Sequence, residues 1–346
     1  MMRCLKSLRY SLRLLTYVLW SVLFIGNAVA GEYRECIGRY ELTLPGKVDV
    51  ATTTPMVFGD QIIQYPIQFL DGQMTKYSSF VLNGEFRILQ GVSDSWARDV
   101  LKKRRDFVAN SKRESNGDKR FSEVATGQPD SFAMSGSLVS KFYIYKDGRF
   151  VGYTFTSFDD GPAAIKKATM DTLTNLRMRE PYELPPGQGA CLPGIFVADS
   201  GKDIGRVIGV TFRLKEHPDV TIFFLDRTAG DLSRMTSKQR NEFVWTSDAV
   251  GRVIHLHGPL RYRPTLMAGR LGTASFATVT RYDGATDYAY LVTIQGDPKA
   301  SVDTPDLELL VERTAKYAKG VPPVSGDELE QIAKAIAASV TRRPIQ

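Results

Sequence analysis

His255 and His257 stand two residues apart in a β-like run, so both imidazoles face one side of a strand and can share a metal. Zinc needs a third protein ligand, and the neighbouring sequence offers none. The pair therefore reads as two histidines on a solvent-facing strand. Asp159-Asp160-Gly161 invites a calcium reading, but the spacing of an EF-hand loop is absent. Acids just ahead of a helix, at the positive end of its dipole, account for it. The nucleophile motifs Gly-x-Ser-x-Gly and Ser-x-x-Lys are missing. So are the P-loop and the Gly-x-Gly-x-x-Gly turn that cradle phosphates. The expectation is a protein with no catalytic residue, no metal and no cofactor.

Charge narrows the partner class. The 346 residues hold 45 Lys+Arg against 38 Asp+Glu. Arg3, Lys6, Arg9 and Arg13 sit in the first thirty, which carry no acid, leaving 41 against 38 in the rest. A body that close to neutral is not built to displace counterions from nucleic acid. The densest basic run is Lys102-Lys103-Arg104-Arg105, followed by Lys112, Arg113, Lys119 and Arg120. It suits an anionic membrane surface or an acidic protein, or simply the solvated face of a helix. Tyr143, Tyr145, Tyr153, Tyr288 and Tyr290 suit interface anchors or cross-strand aromatic packing.

The four basic residues precede the apolar run Leu14–Ile25 and then Ala28-Val29-Ala30. As a helix the run spans about 18 Å, short of the ~30 Å hydrocarbon core. That layout predicts a cleavable secretory signal over residues 1–30, cut between Ala30 and Gly31, and no stable membrane anchor afterwards. The alternative is an uncleaved anchor. Cleavage would remove Cys4 and leave Cys36 and Cys191 in an oxidising compartment, where a pair with no odd thiol invites a disulfide. Two buried free thiols are the competing reading.

The periodicities supply the elements around these residues. Cys36–Pro45 alternates like an edge strand that ends at proline. Asn83-Gly84, Asp147-Gly148 and Asp283-Gly284 mark hairpin turns. Ser93 caps a helix with a stripe of Trp96, Val100, Leu101, Phe107 and Val108, and Gly161-Pro162 opens another. Strands are expected near Ile195–Ala198, Arg206–Leu214 and Val220–Leu225, with a helix within Leu232–Trp245. Leu307, Leu310, Val311 and Ala318 fit a helix opened by Thr304-Pro305 and stopped at Gly320. Ser325 to Glu328 is a capping box for a last helix. The linker Pro181–Gly189 divides the chain into an N-terminal domain, 31–183, and a C-terminal domain, 184–346. The fold class is α+β: two tandem domains, each an antiparallel sheet packed with helices.

The segment Cys36-Ile37-Gly38-Arg39-Tyr40-Glu41-Leu42-Thr43-Leu44-Pro45 resembles the opening of the immunity proteins paired with type VI secretion phospholipase effectors. In that family a Cys-x-Gly-Arg-aromatic strand follows a signal sequence, and a second cysteine opens the C-terminal domain. Gly189-Ala190-Cys191 stands at that second place, with Ala190 where the family pattern is aromatic. The resemblance implies a periplasmic, non-enzymatic protein that grips a cognate phospholipase effector and blocks access to its substrate. It carries over no partner-contacting residue. The alternative is an envelope binding protein holding a small ligand in a cleft between its domains.

Overall fold

The structure, a computed structural model, describes residues 33–54, 66–114, 121–199, 205–248, 252–300 and 304–343. The expected signal, with Ala30 and Gly31, lies outside the described residues, as do Lys119 and Arg120. The chain is mixed α+β, and its strands pair antiparallel. Among the described residues one sheet of fourteen strands draws on both halves of the sequence. From one edge, strand Arg252–Leu256 pairs with Arg270–Arg281, followed by Thr286–Ile294, Asp306–Arg313, Val220–Arg227 and Arg206–Leu214. The next neighbour is Ser79–Leu82 of the N-terminal half, paired through Arg206↔Leu82 to Gly209↔Ser79. Strands Glu85–Gln90, Arg149–Thr156, Val139–Lys146, Ser131–Ser135 and Ser122–Val124 complete the run.

The hairpin turns form where the sequence marks them. Asn83, at φ 53°, closes one, and Asp147 and Gly148, at 51° and 72°, adopt the two left-handed conformations of a type I′ turn. Four described helices pack on the sheet: α1 Asp94–Glu114, α2 Pro162–Asn175, α3 Ser237–Asp248 and α4 Gly326–Ser339. The Ser93 hydroxyl accepts from Trp96 N (3.3 Å) at the start of α1, which buries Ala97, Leu101 and Val108 against Phe132, Met134 and Phe150. The Ser325 hydroxyl likewise accepts from Glu328 N, and α4 buries Leu329, Ala333, Ile336 and Ala337. Helix α3 is pinned by Asn241, fully buried. Its Nδ2 donates to Thr273 O (3.1 Å) and its Oδ1 accepts from Trp245 Nε1 (3.1 Å).

Two expectations need correction. The segment after Thr304-Pro305 is strand Asp306–Arg313, followed by a 3₁₀ turn at Ala315–Tyr317. This strand lies in mid-sheet and is buried on both faces: Leu307, Leu309 and Val311 join the main core, and Leu310 joins the core under α3. A strand buried on both sides loses the period-two alternation, and its leucines then imitate a helical stripe. The second correction concerns Cys36–Pro45, which is not one strand but a tight hairpin, Arg34–Ile37 with Tyr40–Thr43. Gly38, at φ 55°, makes the turn possible.

Candidate functional site

The hairpin of Cys36 and the strand of Cys191 (Gly189–Leu192) meet at the seam between the two halves. Cys36 and Cys191 form a disulfide with Cα atoms 5.7 Å apart, and Gly38 and Cys191 exchange both backbone hydrogen bonds at 2.8 Å. A buried polar knot surrounds the bond. Arg179 pairs with Glu35 at 2.5 Å and donates to Cys36 O and Leu192 O. The second Glu35 oxygen accepts from Tyr182 N (3.1 Å), and the Tyr182 hydroxyl accepts from Val48 N (2.8 Å). From the C-terminal end, Arg343 donates to both sulfurs and to Pro185 O and Gly187 O. Burial pushes the Arg343 pKa down.

A second ion pair lies beneath the turn. Asp226, fully buried, receives Arg206 Nε at 2.9 Å on both oxygens and Arg39 N at 3.0 Å on Oδ2. A Cβ at residue 38 would lie 2.3 Å from that same Oδ2, so the turn glycine also makes room for the carboxylate. Arg39 reaches across to Asp199 (3.0 Å). The Cys-Ile-Gly-Arg motif thus makes a turn, a covalent bond and a salt bridge that bind the N-terminal hairpin to the C-terminal half.

Beside the knot opens a cleft of about 640 Å³ that both halves line. Several of its charged groups are paired. Arg213 meets Asp71 (2.8 Å) and Asp49 (3.1 Å) and lies over the Phe69 ring at 4.4 Å. Lys319 also bonds Asp71, and this bond foremost lowers the Asp71 pKa from 3.8 to about 2. Arg149, which also lines the cleft, grips Glu180 at 2.7 Å. The cleft is close to charge-balanced.

The other candidates separate. His255 and His257 do face one side, with ring centroids 5.7 Å apart, but His257 is engaged by Thr278 and packs on Phe276. Among the described residues no three His, Cys, Asp or Glu side chains gather as a metal site. Asp160 accepts from the Ser157 hydroxyl rather than capping α2, whose N-cap, Gly161, supplies no side-chain bond. The basic run is only partly a solvated face. Arg104 lies over Tyr143, and Arg105 lies over Phe132 and donates to Ser131 O (3.0 Å). Tyr153 and Tyr290 are core residues. No described helix is long and apolar enough to cross a membrane. Sequence reasoning missed Glu35, Arg179, Arg206, Asp226 and Arg343; the one local signal was a lone acid, Asp226, closing the apolar run Val220–Leu225.

This architecture is that of a known class: over nine-tenths of its length the chain shares the fold of immunity proteins of the type VI secretion system. The immunity protein TplEi of Pseudomonas aeruginosa, complexed with "L" peptide, superposes with a TM-score of 0.58 at 16% identity, over 90% of this chain and 98% of that one. Its apo form gives 0.60 at 16%, over 91% and 98%, and a chain of the Tle4–Tli4 complex gives 0.59 at 17%, over 91% and 98%. At these identities the likeness is one of fold. No protein-family model and no curated protein sequence matches the chain.

Proposed function

We propose that this chain is a periplasmic immunity protein that binds a cognate phospholipase effector of the type VI secretion system and occludes it, protecting the producing cell and its kin. The observation that carries the reading is the likeness in fold, over about nine-tenths of the chain, to TplEi and to a chain of the Tle4–Tli4 complex. It agrees with the motif resemblance at Cys36–Pro45, and a disulfide at the seam suits an oxidising compartment. In this reading the signal is cut between Ala30 and Gly31. Residues 31–183 and 184–346 act as two lobes, held together by the Cys36–Cys191 disulfide, the polar knot around it and the shared sheet. The protein works by contact and not by turnover. The cleft favours this over a small-ligand receptor, because Arg213, Lys319 and Arg149 already have carboxylate partners.

The test titrates a purified phospholipase effector from the same strain with mature protein and follows phospholipid hydrolysis. Stoichiometric loss of activity is expected, from a complex that buries at least ~1,200 Å². Substoichiometric inactivation with a chemically altered effector would show an enzyme instead. Mass spectrometry of the periplasmic protein should find Gly31 first; intact Met1 in the inner membrane would overturn the localisation.

A further inference from the structure

Arg343 is buried, and among the described residues no carboxylate hydrogen-bonds its guanidinium. Nη2 donates to Pro185 O and Gly187 O, both neutral acceptors. Nε makes no hydrogen bond; Glu41 Oε1 lies 3.9 Å from it, and the other Glu41 oxygen is held by Arg34. Nη1 donates to two sulfurs, Cys191 Sγ at 2.8 Å and Cys36 Sγ at 3.2 Å. Sulfur is a weak acceptor, and in a disulfide it carries no charge. The buried arginines nearby are served differently: Arg179 has Glu35 at 2.5 Å, and Arg206 has Asp226 at 2.9 Å. A cation taken out of water without a close anion is under-compensated.

Reduction changes what Nη1 faces. Burial among Phe196, Leu184 and Ala198 disfavours a lone thiolate. Here the anion forms 2.8 Å from a cation already in the interior, and the two together are neutral. A guanidinium beside a thiol favours the thiolate. The other charges around the pair decide which sulfur carries it. Cys36 stands directly across the ladder from Glu41, and its N donates to Glu35 Oε1 at 2.9 Å. Both carboxylates have arginines of their own, Arg34 and Arg179, yet both lie on the Cys36 side. The strand of Cys191, Gly189–Leu192, has no charged residue, and Arg177 lies over the Phe196 ring that packs on the pair. Arg177 in turn meets Glu183 of the linker, and Arg39 meets Asp199. Carboxylates near Cys36 and the shorter Arg343 contact both direct the negative charge to Cys191.

We infer that in the reduced protein Arg343 holds Cys191 as a thiolate, so that an ion pair takes the place of the covalent bond at the seam. Reduction by a dithiol breaks the S–S bond with two electrons, and the dithiol closes to its own disulfide. Of the two protons it gives up, one goes to Cys36 and the other to solvent. Arg343 stabilises the product of this step, and therefore makes the bond easier to reduce than a buried disulfide without such a cation. Neither cysteine is more than 1% exposed, so a dithiol reaches the sulfurs only when this part of the fold opens. The seam then has two closed states, one covalent and one ionic, whatever partner the protein binds.

The experiment equilibrates mature wild type, Arg343→Met and Arg343→Lys with mixtures of reduced and oxidised dithiothreitol at about pH 7, and counts free thiols by alkylation and mass spectrometry. Arg343→Met should need a mixture at least about tenfold more reducing for half reduction, with Arg343→Lys, which keeps a cation, between it and wild type. A packing role alone gives the opposite sign, because a looser seam holds the sulfurs together less well and eases reduction. Thiolate absorbance in the ultraviolet is the second readout and needs no Arg343 variant. Reduced wild type should show it well below the ordinary thiol pKa of about 8.5, Cys36→Ser should keep it, and Cys191→Ser should lose it. Circular dichroism of the reduced wild type should match that of the oxidised form. Reduction of Arg343→Met as easy as that of wild type, thiolate absorbance only near the ordinary pKa, or loss of the fold on reduction would each overturn the inference. A thiolate kept in Cys191→Ser and lost in Cys36→Ser would overturn the assignment to Cys191.

Discussion

The Nη1 nitrogen of Arg343 lies 2.8 Å from Sγ of Cys191 and 3.2 Å from Sγ of Cys36, so the C-terminal end of the described chain closes over the disulfide. The bond spans 155 residues, and the arginine adds the last strand to what it holds. Arg343 N also donates to Arg39 O (2.9 Å), next to the pairing of Thr341–Arg342 with Tyr40–Glu41. One buried guanidinium from the C-terminal end thus touches the N-terminal hairpin, the linker and the strand of Cys191.

Removing the disulfide as Cys36→Ser/Cys191→Ser frees a long loop in the unfolded chain. A loss of about 2–5 kcal/mol is expected. Urea unfolding of the double variant against the oxidised wild type measures it, and an equal midpoint would mean that the polar knot alone holds the seam.

Gly38→Ala should destabilise by at least about 2 kcal/mol, because a left-handed φ is combined with a close approach to Asp226. Gly46→Ala is the control: a Cβ there meets nothing within 4 Å, and its cost should stay below about 0.5 kcal/mol. Denaturation midpoints at constant slope distinguish the two.

Arg206→Met leaves Asp226 charged and buried, and about 3–5 kcal/mol should be lost. Arg206→Met/Asp226→Asn should recover part of this, since a neutral amide oxygen still accepts from Arg39 N. A double variant no more stable than the single would show that the pair's charge is not what matters.

Asp71 gives a pH signature. Lys319 foremost holds its folded pKa at about 2, below the ordinary 3.8. The native state therefore favours the carboxylate, and the stability this contributes is present above 3.8 and lost as pH falls through about 2. Wild type should lose more stability between pH 4 and pH 2 than Asp71→Asn does, as read by thermal melts along that series. Parallel losses would show that Lys319 and Arg213 do not engage Asp71 in solution.

Much of the local architecture is legible in residue order because its causes are local. Asn83-Gly84 and Asp147-Gly148 favour positive φ wherever they occur, Ser93 and Ser325 cap helices through bonds three residues long, and Leu329, Ala333 and Ile336 share a face by the helical repeat alone. Strand Asp306–Arg313 was not legible, because whether a leucine-rich run is helix or strand depends on the neighbours that bury it. Those neighbours, Val220–Arg227 and Thr286–Ile294, come from elsewhere in the chain.

The division is sharpest at the seam. Residue types and order by themselves determined two cysteines able to pair, the serine caps of α1 and α4, and hairpins at Asn83-Gly84, Asp147-Gly148 and Asp283-Gly284, while the turn at Gly38 was hidden in an alternating run. Only the tertiary structure decided that Glu35 meets Arg179, that Arg206 meets Asp226, and that Arg343 meets both sulfurs. Only it made one sheet of the two halves and left Arg252–Leu256 at the open edge. A charged side chain is buried when the fold brings its partner to it, and partners 20 to 307 positions apart leave no periodic trace in the sequence.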